Sequence, residues 1–158
     1  MSSYVEFFIK AGDFYAPIYS ECRSGAIYQA FQYQVPYEQS RALTQKDLNE
    51  VCNKQRSEKA DLERRISASQ EKIEWLRTST LSAEERMEEY DSEREMVEYY
   101  KEEIAHADYV MNFCSWLGEM LEEIRYRSDT CKRLAVDPDH YVFVGIDCGN
   151  PGFKDLDD

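Results

Sequence analysis

Two sets of residues repeat every seven positions on either side of a short polar break, and no other feature limits the possible folds as strongly. From Leu48 one series steps through Gln55, Leu62, Ser69 and Leu76, while a second runs through Cys52, Lys59, Ile66 and Ile73. Past the break, Ala83, Tyr90, Val97, Ile104 and Met111 form a third series, with Tyr100, Ala107, Cys114 and Leu121 as its partner. A largely apolar seven-residue repeat marks helices packed along a seam. Two such helices joined by a few residues must run antiparallel.

The boundaries of these helices are written in capping signals. Thr44 is an N-cap, Asp47 stands three residues later in place of the usual Glu, and Leu43 with Leu48 has the spacing of a hydrophobic staple. The run Thr78-Ser79-Thr80-Leu81-Ser82 breaks the repeat, and Ser82 with Glu85 forms a second capping box. The spacing therefore predicts helices over 45–77 and from 83 to about 125. Gln55, Lys59 and Ser69 are polar defects in the seam; they fit either control of register within one chain or a larger bundle such as a homodimer.

Outside the hairpin the pattern changes. Residues 4–10 (YVEFFIK) are aromatic and β-branched, Ala11-Gly12-Asp13 is a turn signal, and residues 14–20 (FYAPIYS) return as a second strand. Pro17 assigns that strand to a sheet edge. After Ser24, Ile27, Ala30, Phe31 and Gln34 share one helical face and Pro36 closes the segment; residues 36–43 read as a linker. Near residue 110 the last helix gains a second apolar face of Val110, Phe113, Leu117, Met120 and Ile124, which must be covered. A late strand at 141–146, following the Asp137-Pro138-Asp139 turn, is the expected cover together with the N-terminal strands. The ending FKDLDD reads as a frayed tail. The expected fold is α+β: a small antiparallel sheet head formed by both termini (1–43 and 108–158), from which a long antiparallel coiled-coil helical hairpin (44–107) projects as an arm.

Charge then narrows the function. With 19 basic and 32 acidic residues the formal net charge is −13, which opposes direct binding to nucleic acid or anionic lipid and favours a basic partner. Glu84, Glu88, Asp91, Glu95, Glu98 and Glu102 recur at alternating steps of four and three, so a helix carries them as one stripe about 27 Å long. Counting every carboxylate from Glu84 to Glu103 gives a spacing of about 3 Å along the axis, close to the charge spacing of about 3.4 Å on one DNA strand; Arg86, Arg94 and Lys101 dilute it. The corresponding outer positions of the first helix, Lys46, Glu50, Asn53, Ser57, Ala60, Arg64, Ser67, Glu71 and Glu74, mix charges with neutral residues. Solubility alone does not require that difference.

Other chemistries have weaker support. Glu103 and His106 match the E-x-x-H spacing of di-iron bundles, but such a site needs a second copy of the motif, and the other histidine, His140, stands near a predicted turn. No cysteine pair or cluster has zinc spacing, so no metal and no cofactor is expected. Cys22, Cys52, Cys114, Cys131 and Cys148 read as reduced thiols. The glycines of GIDCGNPG, Gly145, Gly149 and Gly152, form no phosphate-binding fingerprint. Ten aromatics crowd the first 37 residues (Tyr4, Phe7, Phe8, Phe14, Tyr15, Tyr19, Tyr28, Phe31, Tyr33 and Tyr37); with Lys10 and Arg23 as nearby cations, they suit a protein interface better than a nucleic-acid groove.

No segment has the length of a membrane span or the layout of a signal peptide, and the expected location is the cytoplasm of a cell or host. The expected function is a non-enzymatic module that binds a basic protein surface through the stripe. In its most concrete form it is an inhibitor occluding a partner's nucleic-acid-binding surface, as a small phage or mobile-element effector does. The alternatives are a scaffold or oligomerisation protein acting through the aromatic head, and an enzyme whose metal site is completed across a dimer.

Overall fold

Pro17 cannot donate to a β-ladder, and in the computed structural model the strand that holds it lies at an edge. The structure describes residues 3–11, 14–36, 38–134 and 141–146. Strands β1 (Tyr4–Ala11) and β2 (Phe14–Cys22), helix α1 (Ala26–Phe31), strand β3 (Ser40–Ala42), helices α2 (Gln45–Arg77) and α3 (Ala83–Leu134), and strand β4 (Tyr141–Ile146) follow in chain order. The sheet is antiparallel throughout, with order β2-β1-β4-β3. Phe7 pairs with Tyr19 and Phe8 with Pro17, so Ile18 is an extra residue on β2 and makes a bulge there. The chain is thus an α+β protein in which strands from both ends of the sequence form one sheet and two long helices pack as a hairpin. The expected turns at Gly12-Asp13 and Asp137-Pro138-Asp139, together with Tyr37, His140, Cys148, Gly149, Gly152 and the ending, lie outside the described residues.

Three expectations are corrected. Residues 36–43 are not simply a linker, because Ser40–Ala42 pairs with β4 as the second edge strand. Helix α1 ends at Phe31, short of Gln34, and Val35 takes the buried position instead; the proline at 36 disfavours helical backbone in the residue before it. Helix α3 continues to Leu134 instead of ending near 125. Its apolar pattern fades there, yet no Gly or Pro stands between Gly118 and Pro138 to stop it.

The chain divides into two compact units, Met1–Cys52 with Val110–Asp158, and Asn53–Tyr109. In the first, one face of the sheet (Val5, Phe7, Val144) is covered by Ile27, Tyr28 and Phe31 of α1, Leu48 and Val51 of α2, and Val110, Phe113, Cys114 and Leu117 of α3. The added apolar face of α3 is this core contact. Phe113 is its hub, with ring centroids 5.2 Å from Phe7, 6.2 Å from Phe31, 5.1 Å from Tyr19 and 5.7 Å from Trp116. The pairs with Phe7 and Phe31 are edge-on and those with Tyr19 and Trp116 are tilted; edge-on pairs add to the area they bury.

Capping fixes where the helices of this unit begin. The Asp47 amide donates to the Thr44 hydroxyl at 3.2 Å and the Thr44 amide donates to Asp47 Oδ2 at 2.8 Å, a complete reciprocal box. Arg41 adds two parallel bonds to the same carboxylate at 2.7 and 2.6 Å and a third to the Gln34 carbonyl at 2.8 Å. It thereby joins β3, the turn after α1 and the first turn of α2. At the start of α1 the Glu21 carboxylate accepts the Tyr28 amide at 3.0 Å, occupying the space that a side chain at Gly25 would need.

In the second unit the seam forms where the repeat places it, except at Ala83, which is exposed. Leu76, Ser69, Val97 and Ala107 are buried, and Gln55, Lys59, Leu62, Ile66, Ile73, Tyr90, Tyr100 and Ile104 are half-buried. Lys59 pairs with Asp108 at 2.7 Å, the Arg65 guanidinium lies 5.9 Å from the Tyr100 ring centre, and Lys72 pairs with Glu93 and Glu89 at 3.0 and 3.3 Å. The partner number falls as the first rises, as antiparallel helices require. The Ser82 hydroxyl accepts the Glu85 amide at 3.2 Å and starts α3.

Candidate partner-binding surface

An α-helix returns to the same face after three or four residues, and α3 holds Glu84, Glu88, Asp91, Glu95, Glu98 and Glu102 exposed along such a face. Their seam-side neighbours sort differently. Glu89, Glu93 and Asp108 turn toward α2 and are neutralised by Lys72 and Lys59. Glu93, 16% exposed, also bonds Ser69; Lys72 and Ser69 together hold its carboxyl below the usual range. The carboxylates of this helix therefore form two groups, one balanced along the seam and one facing solvent.

Of the three cations that dilute the sequence stripe, one is drawn away from it and two remain beside it. Arg86 is half-buried, with its Nε sealed from solvent and unbonded. Arg94 lies over the Tyr90 ring at 5.5 Å from the centroid. Lys101 stays on the outer face, 3.6 Å from Glu98. Arg86 and Glu93 were legible in principle, because stepping back by sevens from Cys114, Ala107 and Tyr100 reaches both.

The middle of the stripe is not flat. Asp91, Glu95, Glu98 and Glu102 line an open groove of about 520 Å³ together with Arg94 and Tyr99. Tyr99 is 54% exposed. It escapes a search for charge alone, yet its position one residue from Glu98 and four from Glu95 was visible. A phenol ring flanked by carboxylates suits a guanidinium or ammonium group, which can meet the ring face and the acids together.

The remaining candidates are dispersed. His106 is two-thirds exposed, with Nδ1 3.8 Å from Glu103 Oε1, and no group of three His, Cys, Asp or Glu side chains suited to a metal occurs among the described residues. Of the N-terminal aromatics, Phe7, Phe8, Tyr28 and Phe31 are buried, Tyr19 is half-buried, and Tyr4 and Tyr33 are exposed. The aromatic cluster is thus partly core and partly surface. Among the described residues no helix is long and apolar enough to cross a membrane. No protein-family model, curated protein or solved structure matches the chain.

Proposed function

We propose that the protein is a non-enzymatic binding module whose outer α3 face engages a basic protein surface, and that it acts as an inhibitor by covering a surface its partner uses for nucleic acid. The reading rests on one observation: six carboxylates are exposed along one helix face while the seam-facing acids of the same helix have lysine partners. Five like-charged neighbour pairs cost the isolated helix roughly 1 to 2.5 kcal/mol. A face kept at that cost is suited to a ligand that removes it. Carboxylates then take the place of phosphates opposite Lys and Arg side chains, in the cytoplasm where such partners work.

The test begins with capture of partners from a cell lysate on the immobilised protein and their identification by mass spectrometry. Affinity for the captured partner is then compared between the unmodified chain and a variant with Glu88, Asp91, Glu95 and Glu98 changed to Gln. At about 0.5 to 1 kcal/mol per exposed contact, binding weakens by roughly 30-fold to 1000-fold, while thermal stability is retained or rises. Unchanged affinity at low and moderate salt would falsify the electrostatic mechanism and shift attention to Tyr4, Tyr33 and the other exposed aromatics.

A further inference from the structure

Cys52 and Cys114 face each other across the two long helices. Cys114 is buried in the core of the first unit and Cys52, half-buried, packs against that core. Both thiols are free, and the antiparallel register set by Lys59 with Asp108, Arg65 with Tyr100 and Lys72 with Glu93 brings residue 52 opposite residue 114. Taken singly in the sequence, each is an ordinary small seam residue, but the antiparallel register makes them neighbours. A disulfide requires close, facing Cβ atoms on the two residues, and here α2 and α3 each supply one of them.

We propose that Cys52 and Cys114 form a paired modification site, converted by a peroxide or a small disulfide oxidant into an intrachain disulfide that closes residues 53–113 into a covalent loop. With a peroxide, the Cys52 sulfur attacks one oxygen, the O–O bond breaks, and Cys52 sulfenic acid and one water result. The Cys114 thiol then attacks that sulfur, the S–O bond breaks, and the disulfide and a second water form. Two thiols lose two electrons and two protons, and one peroxide becomes two waters. With a glutathione-type disulfide, two thiol exchanges give the same bond and release two small thiols.

The order of these steps follows from the surroundings. Burial, and then the neighbouring Cys52, push the Cys114 thiol well above its ordinary range. The more accessible Cys52 therefore attacks first and Cys114 resolves. The same property slows reversal: a reductant reaching Cys52 must expel the Cys114 thiolate, a poor leaving group. The acidic face, Glu84 to Glu102, lies wholly within the closed loop, so oxidation acts on the stability of the hairpin that presents it without touching a carboxylate.

The experiment uses the reduced protein, incubated below its unfolding midpoint with hydrogen peroxide or with oxidised glutathione and then digested for peptide mapping by mass spectrometry. The expected product is a cross-linked peptide pair containing Cys52 and Cys114, lighter by two hydrogens and separated by dithiothreitol. The thermal midpoint of the oxidised protein is expected to rise on the order of 10 °C, from loop closure. A triple variant, Cys22→Ser with Cys131→Ser and Cys148→Ser, is expected to give the same pair. In Cys114→Ser, Cys52 should instead stop at the sulfenic acid or the glutathione adduct. Three outcomes overturn the proposal: Cys52 in the unsubstituted chain joined to another cysteine, Cys52 left as a persistent adduct with Cys114 free, or both thiols still reduced once Cys22 is fully oxidised. All three are read in the unsubstituted chain, so a variant that fails to fold leaves the proposal just as open to refutation.

Discussion

The carboxylate of Asp47 meets donors from two parts of the chain, the Thr44 amide and hydroxyl within its own helix start and the guanidinium of Arg41 from β3. Burial alone raises its pKa, but Arg41 and the two Thr44 bonds outweigh that, and the carboxyl is held below its ordinary value of 3.8. The sign follows directly. The unfolded chain takes up the proton first as pH falls, so this stabilisation is fully present above the ordinary value and is lost as pH falls through the folded one. Urea unfolding followed from pH 6 to pH 3 is expected to show a steeper loss for the unmodified protein than for Asp47→Asn, and the variant should be about 2 kcal/mol less stable at pH 7. Truncating the aromatic hub, Phe113→Ala, is expected to cost about 3 to 5 kcal/mol in the same assay. The Thr44 and Asp47 pair was legible because a capping box is local in sequence. Arg41 was not, since its role depends on a strand that exists only after β4 pairs with it.

At the scale of elements, the seam shows which rules of sequence reading survive. The heptad positions are buried or half-buried along most of their length because apolar repeats specify a face regardless of what covers it. Strand β3 escaped notice because Ser40, Arg41 and Ala42 carry neither alternation nor β-branched residues; their partner β4 lies about a hundred residues away and supplies the hydrogen bonds. The groove beside Tyr99 escaped for another reason: it depends on which way Tyr99, Arg94 and the acids point, and periodicity does not give that. The polar end of the seam makes its own prediction. Arg86 holds Nε buried without a hydrogen bond, a loss of solvation worth about 1 to 3 kcal/mol. Replacement Arg86→Met keeps much of the packed length of the side chain and removes that group, so the thermal midpoint is expected to rise by a few degrees, with unchanged helicity by circular dichroism.

For the whole molecule, a net charge of −13 makes salt act in two directions. Raising ionic strength from about 0.01 to 0.1 M shortens the screening length from about 30 to about 10 Å. Self-repulsion within the fold weakens, so the melting temperature measured by calorimetry is expected to rise, whereas affinity for a basic partner falls. Parallel trends in the two quantities would argue against the acidic face as the contact. Beyond charge lies a matter of timing. Strand β1 takes its second neighbour, β4, from residues 141–146, after both long helices have been synthesised. At about 5–20 residues per second, a ribosome leaves β1 with one flank unpaired on the order of ten seconds. The nascent chain therefore carries an open sheet edge beside Val5 and Phe7 for that interval, a template on which a strand from another chain can pair.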